Sequence, residues 1–354
     1  MSLAVTTDGI VWAGSVDGLN RYDGEVWTKI PLLPSLELYL VRVDVITEGP
    51  DGDLWIGALG DHSLLRFDGE NWIDYSPFLP APSVMAITFS PDRTMWVGGE
   101  GYLASFKNGI WQTYPAAFTS ERNIGVGVSS IAVSESGTVW VGFTQSSDEH
   151  SFGFRENMVE VKERFHGVSR FENGIWITVD EDDGLAQNEV TDIAVDSIGN
   201  VWFGTYNQGV SKLDEQGWQT LVTSDEIPTN AINDLQVLSS KKIWITYPDR
   251  MSSYDGQKWK PFEPSDMDNE DIRYYNILLT PDGSLWMTTY DNLFRYKNQI
   301  LTTYPDISET ESNTFYSIAM NDEGHFLFLT SDVVYQLDDF VWSQPTYLSQ
   351  LHFY

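Results

Sequence analysis

Apolar and polar residues follow one another along this chain in short runs, and the runs recur in a fixed order. A first run carries apolar residues at i, i+3 and i+5, as in Val190, Ile193 and Val195, in Ile232, Leu235 and Val237, or in Phe315, Ile318 and Met320. A turn rich in Gly, Asp and Asn follows, such as Pro281-Asp282-Gly283, which is the chemistry of a tight hairpin. A second run is centred on tryptophan, most clearly in Gly199-Asn200-Val201-Trp202-Phe203-Gly204-Thr205. A third has the form seen in Gly18-Leu19-Asn20-Arg21-Tyr22, Leu64-Leu65-Arg66-Phe67 and Leu293-Phe294-Arg295-Tyr296. A second turn (Asp23-Gly24, Asp68-Gly69, Asn108-Gly109, Asn173-Gly174, Asp255-Gly256) leads to a fourth run. That run is marked by Trp27, Trp72, Trp111, Trp176, Trp218, Trp259 and Trp342, with Leu301 in the seventh copy. Short runs bounded by such turns predict four β-strands per copy.

The central positions are Trp12, Trp55, Trp96, Trp140, Trp202, Trp244, Trp286 and, in degenerate form, Leu327. Their spacings are 43, 41, 44, 62, 42, 42 and 41 residues, a steady period broken once by an insertion. A single four-stranded sheet with apolar residues on both faces leaves both faces wet, so the copies must stack on one another. Repeats of about 40 to 45 residues with four strands each fit the blades of a propeller. The expectation is an all-β fold, a β-propeller of eight four-stranded antiparallel blades, with seven as the alternative count. The chain reads as a single domain over 1–354, with blades near 1–35, 36–78, 79–118, 119–182, 183–224, 225–264, 265–306 and 307–345. The fourth blade holds the insertion, 144–166. The first copy lacks its first apolar position, and the tail 346–354 repeats the inner-strand pattern in Leu348, Leu351 and Phe353. That tail either pairs with the first blade and closes the ring or opens a further, truncated copy.

At 42% hydrophobic and 14% aromatic residues the chain has ample material for a core. Its 52 Asp and Glu against 20 Lys and Arg give a net charge of -32, which repels phosphate backbones and anionic membranes. Nucleic acid is therefore not expected as a partner. No run of about 20 apolar residues suggests membrane insertion, and the N-terminus has no signal-peptide pattern. With no cysteine, disulfides and thiol chemistry are excluded. The five His residues have no metal-ligand spacing and no nucleophile motif is present, so no catalytic residue, metal or cofactor is expected.

The segments Asn188-Glu189-Val190-Thr191-Asp192-Ile193, Asp196-Ser197-Ile198-Gly199-Asn200-Val201-Trp202-Phe203-Gly204-Thr205 and Gly209-Val210-Ser211-Lys212-Leu213 together resemble the two-component regulator propeller repeat. The resemblance covers nearly the whole chain. It implies the extracytoplasmic sensing part of a bacterial hybrid two-component system, periplasmic or extracellular, that detects a glycan or another small ligand. The seven-bladed ring of such sensors differs from the eight copies counted here.

On a propeller the loops joining strands two and three, and those joining one blade to the next, share a face, and function sits in them. Tyr206 and Asn207, Tyr247 and Arg250, and Tyr290 and Asp291 fall in such loops shortly after three successive anchors. Aromatic rings beside amides, carboxylates and a guanidinium suit a sugar, whose apolar face stacks while its hydroxyls bond. Asn188, Asn230, Arg273 and Tyr274 lie on adjoining loops. A ligand-binding or sensing role is the first reading. The second is a protein-interaction scaffold, its partner held by the 144–166 insertion with Phe152, Phe154, Met158 and Phe165. The third is a metal-dependent lyase resembling the streptogramin lyases, with His62 as the loop-face histidine, although no partner base or carboxylate cluster can be assigned to it.

Overall fold

A computed structural model describes residues 2–15, 18–31, 43–114, 126–145, 167–206, 208–221, 232, 234–239, 242–247, 250–262, 276–280, 283–289, 293–304, 317–320, 325–329, 333–338, 341–342 and 346–347. The expected strands form, and in every sheet the four strands lie side by side in chain order. Blade 5 shows the plan: inner strand Val190–Val195, then Val201–Thr205, Val210–Asp214 and outer strand Gly217–Leu221, each antiparallel to the last. The fold is a β-propeller with eight four-stranded blades, eight rather than the alternative seven. Blade 1 has its own inner strand, Ser2–Val5, paired with Val11–Ser15. The described part of the C-terminal tail, Thr346–Tyr347, pairs with Val333 and Val334 of blade 8. Residues 348–354 and 146–166 lie outside the described residues; Thr144 and Gln145 end the second strand of blade 4, Val139–Gln145.

The residues divide into two compact units, Met1–Val84 with Glu263–Tyr354, and Met85–Phe262. In the first, blades 7, 8, 1 and 2 pack face to face in that order; in the second, blades 3 to 6 do. The seven tryptophan anchors are 0 to 6% exposed. Each buried anchor contributes on the order of 1.5 to 3 kcal/mol. A cation on the third strand, directly across the ladder, lies over several of them: Arg66 on Trp55, Arg170 on Trp140, Lys212 on Trp202 and Arg295 on Trp286, at 5.3 to 5.9 Å. Basic residues, scarce in this chain, are thus placed against the cores of the blades. The outer tryptophans stack across the final hairpin, Tyr22 with Trp27, Phe67 with Trp72, Phe106 with Trp111 and Tyr254 with Trp259, at 4.8 to 5.2 Å.

The glycine two residues after the anchor has a packing reason. A Cβ on Gly14, Gly57 or Gly98 would come within 2.5 to 2.6 Å of the Val side chain that opens the next blade, Val43, Val84 or Val128. Inner strand and second strand meet there almost backbone to side chain. In blade 8 the same position is Leu329, fully buried against Val11, Ala13 and Leu3 of blade 1.

Candidate functional site

Four of the ten candidate ligand residues are described: Asn188, Tyr206, Tyr247 and Arg250, all in the second unit. Asn207, Asn230, Arg273, Tyr274, Tyr290 and Asp291 lie outside the described residues. The loop that leads into blade 5 is built around Asp180, whose side chain accepts the Asp182 N–H and begins a 3-10 turn, Glu181–Asp183. Asn188 closes that loop reciprocally: its Oδ1 accepts the Glu181 N–H at 3.0 Å, and its own N–H donates to Glu181 Oε1 at 3.2 Å. Ala186 N–H donates to Ser211 Oγ at 2.7 Å, and Thr220 Oγ1 donates to the Gly184 carbonyl at 2.7 Å. The loop is therefore fixed to the third and fourth strands of its own blade.

Tyr206 sits beside it. Its N–H donates to the Glu189 carbonyl at 3.0 Å, and its ring is 40% exposed. The rest of the turn is held by Thr205 Oγ1, which donates to the Gly209 carbonyl at 2.9 Å and accepts the Gln208 N–H at 3.2 Å. An exposed ring, an amide and several carboxylates on tied backbone make a polar rim with one aromatic platform.

Tyr247 is placed differently. It has no exposed surface and packs with Trp202, Ile232, Leu235, Ile245 and Trp259. Burial pushes its phenol well above the usual range. Its N–H donates to the Arg250 carbonyl at 2.8 Å, a position matched in blade 5 by the bond from Thr205 N–H to the Gly209 carbonyl. Tyr247 is thus the counterpart of the buried Thr205, one residue nearer the anchor than Tyr206. Arg250 is exposed on the same turn.

The first unit holds a pair that sequence reasoning missed. His62, on the loop between strands two and three of blade 2, has Nδ1 2.6 Å from Asp74 Oδ2, on the outer strand Trp72–Asp74. Asp74 Oδ1 also accepts the Ser76 N–H at 2.9 Å. Burial alone would raise the Asp74 carboxyl, but the hydrogen bonds from Ser76 and His62 outweigh it and hold the pKa below the usual carboxylate value. The carboxylate partner that His62 lacked in the sequence lies twelve residues on, with no motif to announce it.

A polar column also runs along the inner strands. Ser130 Oγ accepts the Ile193 N–H at 3.3 Å, Asp192 Oδ2 accepts the Leu235 N–H at 3.1 Å, and Ser317 Oγ accepts the Leu3 N–H at 3.2 Å. In each case a side chain of one blade binds the backbone of the next. Burial, with the Asp234 carboxylate as a lesser cause, pushes the Asp192 carboxyl up to about 7. Among the described residues no group of three or more His, Asp or Glu is placed to hold a metal ion, and no helix is long and apolar enough to cross a membrane.

Comparison with known proteins bears on the family and the fold. The two component regulator propeller family matches residues 184–207, the segment that carries both Asn188 and Tyr206. The chain thus resembles that family, as its repeats imply. No curated protein sequence matches. Among solved structures, the Dos1 propeller superposes with a TM-score of 0.64 at 14% identity, over 94% of this chain and 88% of that one. Virginiamycin B lyase from Staphylococcus aureus with quinupristin gives 0.58 at 16% identity, over 82% and 92%. The extracellular domain of a hybrid two component system from B. thetaiotaomicron gives 0.46 at 20% identity, over 97% of this chain and 45% of that one. This chain therefore spans less than half of that domain, and at these identities the likeness concerns the fold alone.

Proposed function

We propose that this chain is a non-enzymatic recognition propeller that binds a glycan or a similar polyhydroxylated small molecule on the loops of blades 5 and 6. The observation that carries the reading is Tyr206: a large ring left 40% exposed on a loop whose backbone is pinned at both ends. Its ring would stack on the apolar face of a sugar, and the Asn188 Nδ2 and the exposed Arg250 would supply polar contacts to the hydroxyls. Asn207 and Asn230 belong to the same loops. The resemblance to two-component regulator propellers supports a sensing role and a location outside the cytoplasm.

A protein partner is the second reading. It is favoured by the outer strand of blade 4, where Ile175 and Ile177 are exposed on the blade that carries the 144–166 insertion.

A thermal-shift screen of the intact chain with glycans, divalent metals and chelator decides between these. Recognition predicts that a glycan raises the melting temperature of the wild type and not of Tyr206→Ala, independently of chelator. A shift that Tyr206→Ala retains, or one abolished by chelator, counts against the site; a protein partner protecting Ile175 and Ile177 from hydrogen exchange, with no glycan effect, supports the scaffold reading.

A further inference from the structure

The outer strand of each blade ends its sheet, and such an edge can pair with another chain unless charge, proline or shortness blunts it. Several edges here are blunted. Blade 1 carries Lys29 in Trp27–Ile30, blade 2 stops at Asp74 after Trp72 and Ile73, blade 6 carries Lys260 and Pro261, and blade 8 has only Val341–Trp342. In blades 3, 5 and 7 the residue after the outer anchor is the polar Gln112, Gln219 or Thr302. Blade 4 differs. Its outer strand, Ile175–Val179, reads Ile-Trp-Ile-Thr-Val, all β-branched or aromatic, and it alone has isoleucine on both sides of its anchor.

Trp176 turns into the blade, against Phe171 at 4.9 Å and Tyr114 at 5.4 Å. Ile175 and Ile177 face the other way, 62% and 40% exposed. The strand pairs with Val168–Glu172 on one side. Among the described residues no bridge or further backbone hydrogen bond reaches it from the other.

Charge selects what could pair there. No Lys, Arg or His occurs between Arg170 and Lys212. At the start of the strand Glu172 is paired with Arg170 at 3.6 Å. At its end Asp180, Glu181 and Asp183 accept backbone N–H groups, and neither they nor Asp182 form an ion pair with a described residue. A second copy of the chain fits poorly: antiparallel self-pairing centred on Ile177 would set Asp182 of each copy across from Glu172 of the other, between two chains of net charge -32.

We propose that the outer edge of blade 4 takes up an extended segment of a partner protein as a fifth, antiparallel strand, β-branched along its length and basic at its N-terminal end, which lies beside 180–183. This deepens the protein-partner reading and rests on it. It uses neither Tyr206 nor Arg250, so the outcome of the glycan screen does not bear on it.

The test is binding of the peptide acetyl-Lys-Arg-Val-Thr-Val-Thr-Val-amide to the intact chain, with hydrogen exchange followed over 171–183. Saturable binding that slows exchange within 175–179 is expected. Because a strand presents alternate N–H groups to alternate sides, one of the two alternately N-methylated forms of the peptide should bind about tenfold or more weaker and the other like the parent. Moving Lys-Arg to the C-terminal end should weaken binding several-fold at low salt and less at high salt. Ile177→Lys, at an exposed position, should abolish binding and leave the melting temperature unchanged. No binding, no slowing within 175–179, or equal affinity of the two methylated forms would overturn the added strand. If the methylated forms are equal but Ile177→Lys still abolishes binding, the isoleucines serve a partner without a fifth strand and the protein-partner reading survives; indifference to Ile177→Lys as well removes both.

Discussion

Replacing Gly98 with alanine adds one methyl group at the closest approach between blades 3 and 4. Its Cβ would stand 2.5 Å from Val128 Cγ1, 2.6 Å from Val128 Cβ and 2.9 Å from Val128 Cγ2, closer than nonbonded carbons approach. Val128 cannot turn away, because it is fully buried with Trp96, Leu103 and Val141 around it. Overpacking of this kind costs about 1 to 3 kcal/mol. The lost backbone freedom of glycine in the unfolded chain offsets about 0.4 to 1 kcal/mol of that. The expected net effect of Gly98→Ala is therefore a destabilisation of about 0.5 to 2 kcal/mol, measured by urea unfolding. The three nearest atoms all belong to Val128 and its Cβ is one of them, so Val128→Gly, which removes all three, should relieve the contact. In that background Gly98→Ala should be neutral or stabilising, giving a coupling of about 1 kcal/mol or more in the double-mutant cycle. Equal costs in the two backgrounds, or no cost in the wild type, would refute the argument that blades stack through this glycine.

Three further outcomes follow from the same interfaces and from the site. Leu329→Ala should cost about 2 to 5 kcal/mol, because its side chain is fully buried among Val11, Ala13 and Val334; a cost under about 1 kcal/mol in urea unfolding would show that the cavity collapses. Asp192 has a folded-state pKa near 7 against an ordinary 3.8, so the unfolded chain gives up its proton first. Stability should fall as pH rises from about 4 through 7, and Asp192→Asn should flatten that slope and raise stability at pH 8; an unchanged slope contradicts the assignment. Tyr247→Phe should leave both stability and ligand binding near wild type, whereas Tyr247→Ala should unfold more readily by about 3 to 5 kcal/mol; a selective loss of binding in Tyr247→Phe would put the hydroxyl in the site after all.

The blades were legible in the sequence because Trp12 through Trp286 keep their period and because hairpin turns such as Asn108-Gly109 need backbone angles that few residue pairs accept: φ is +51° at Asn108 and +80° at Gly109. The role of Gly14, Gly57 and Gly98 was not, since the residue each one touches belongs to the next blade, 27 to 30 positions on. The inner-strand polar column was written in plain view, as Ser130, Asp192 and Ser317 each immediately precede an isoleucine of the repeat. Without a structure, nothing ties those side chains to the backbone of another copy. The site was only partly readable. Tyr206 and Tyr247 look alike in one dimension, yet they lie four and three residues after their anchors, and the third position is buried in both blades, as Thr205 and Tyr247, whereas Tyr206 stands one residue further out and is exposed. His62 and Asp74 meet only because the outer strand of blade 2 ends beside its own loop.

The most direct test of the recognition reading is calorimetric titration of the intact chain with the glycan that best stabilises it, with and without chelator. The account predicts saturable one-to-one heat, unchanged by chelator, with the glycan recovered intact, and no heat with Tyr206→Ala. Binding that survives Tyr206→Ala, or a glycan recovered as cleaved product, would contradict it.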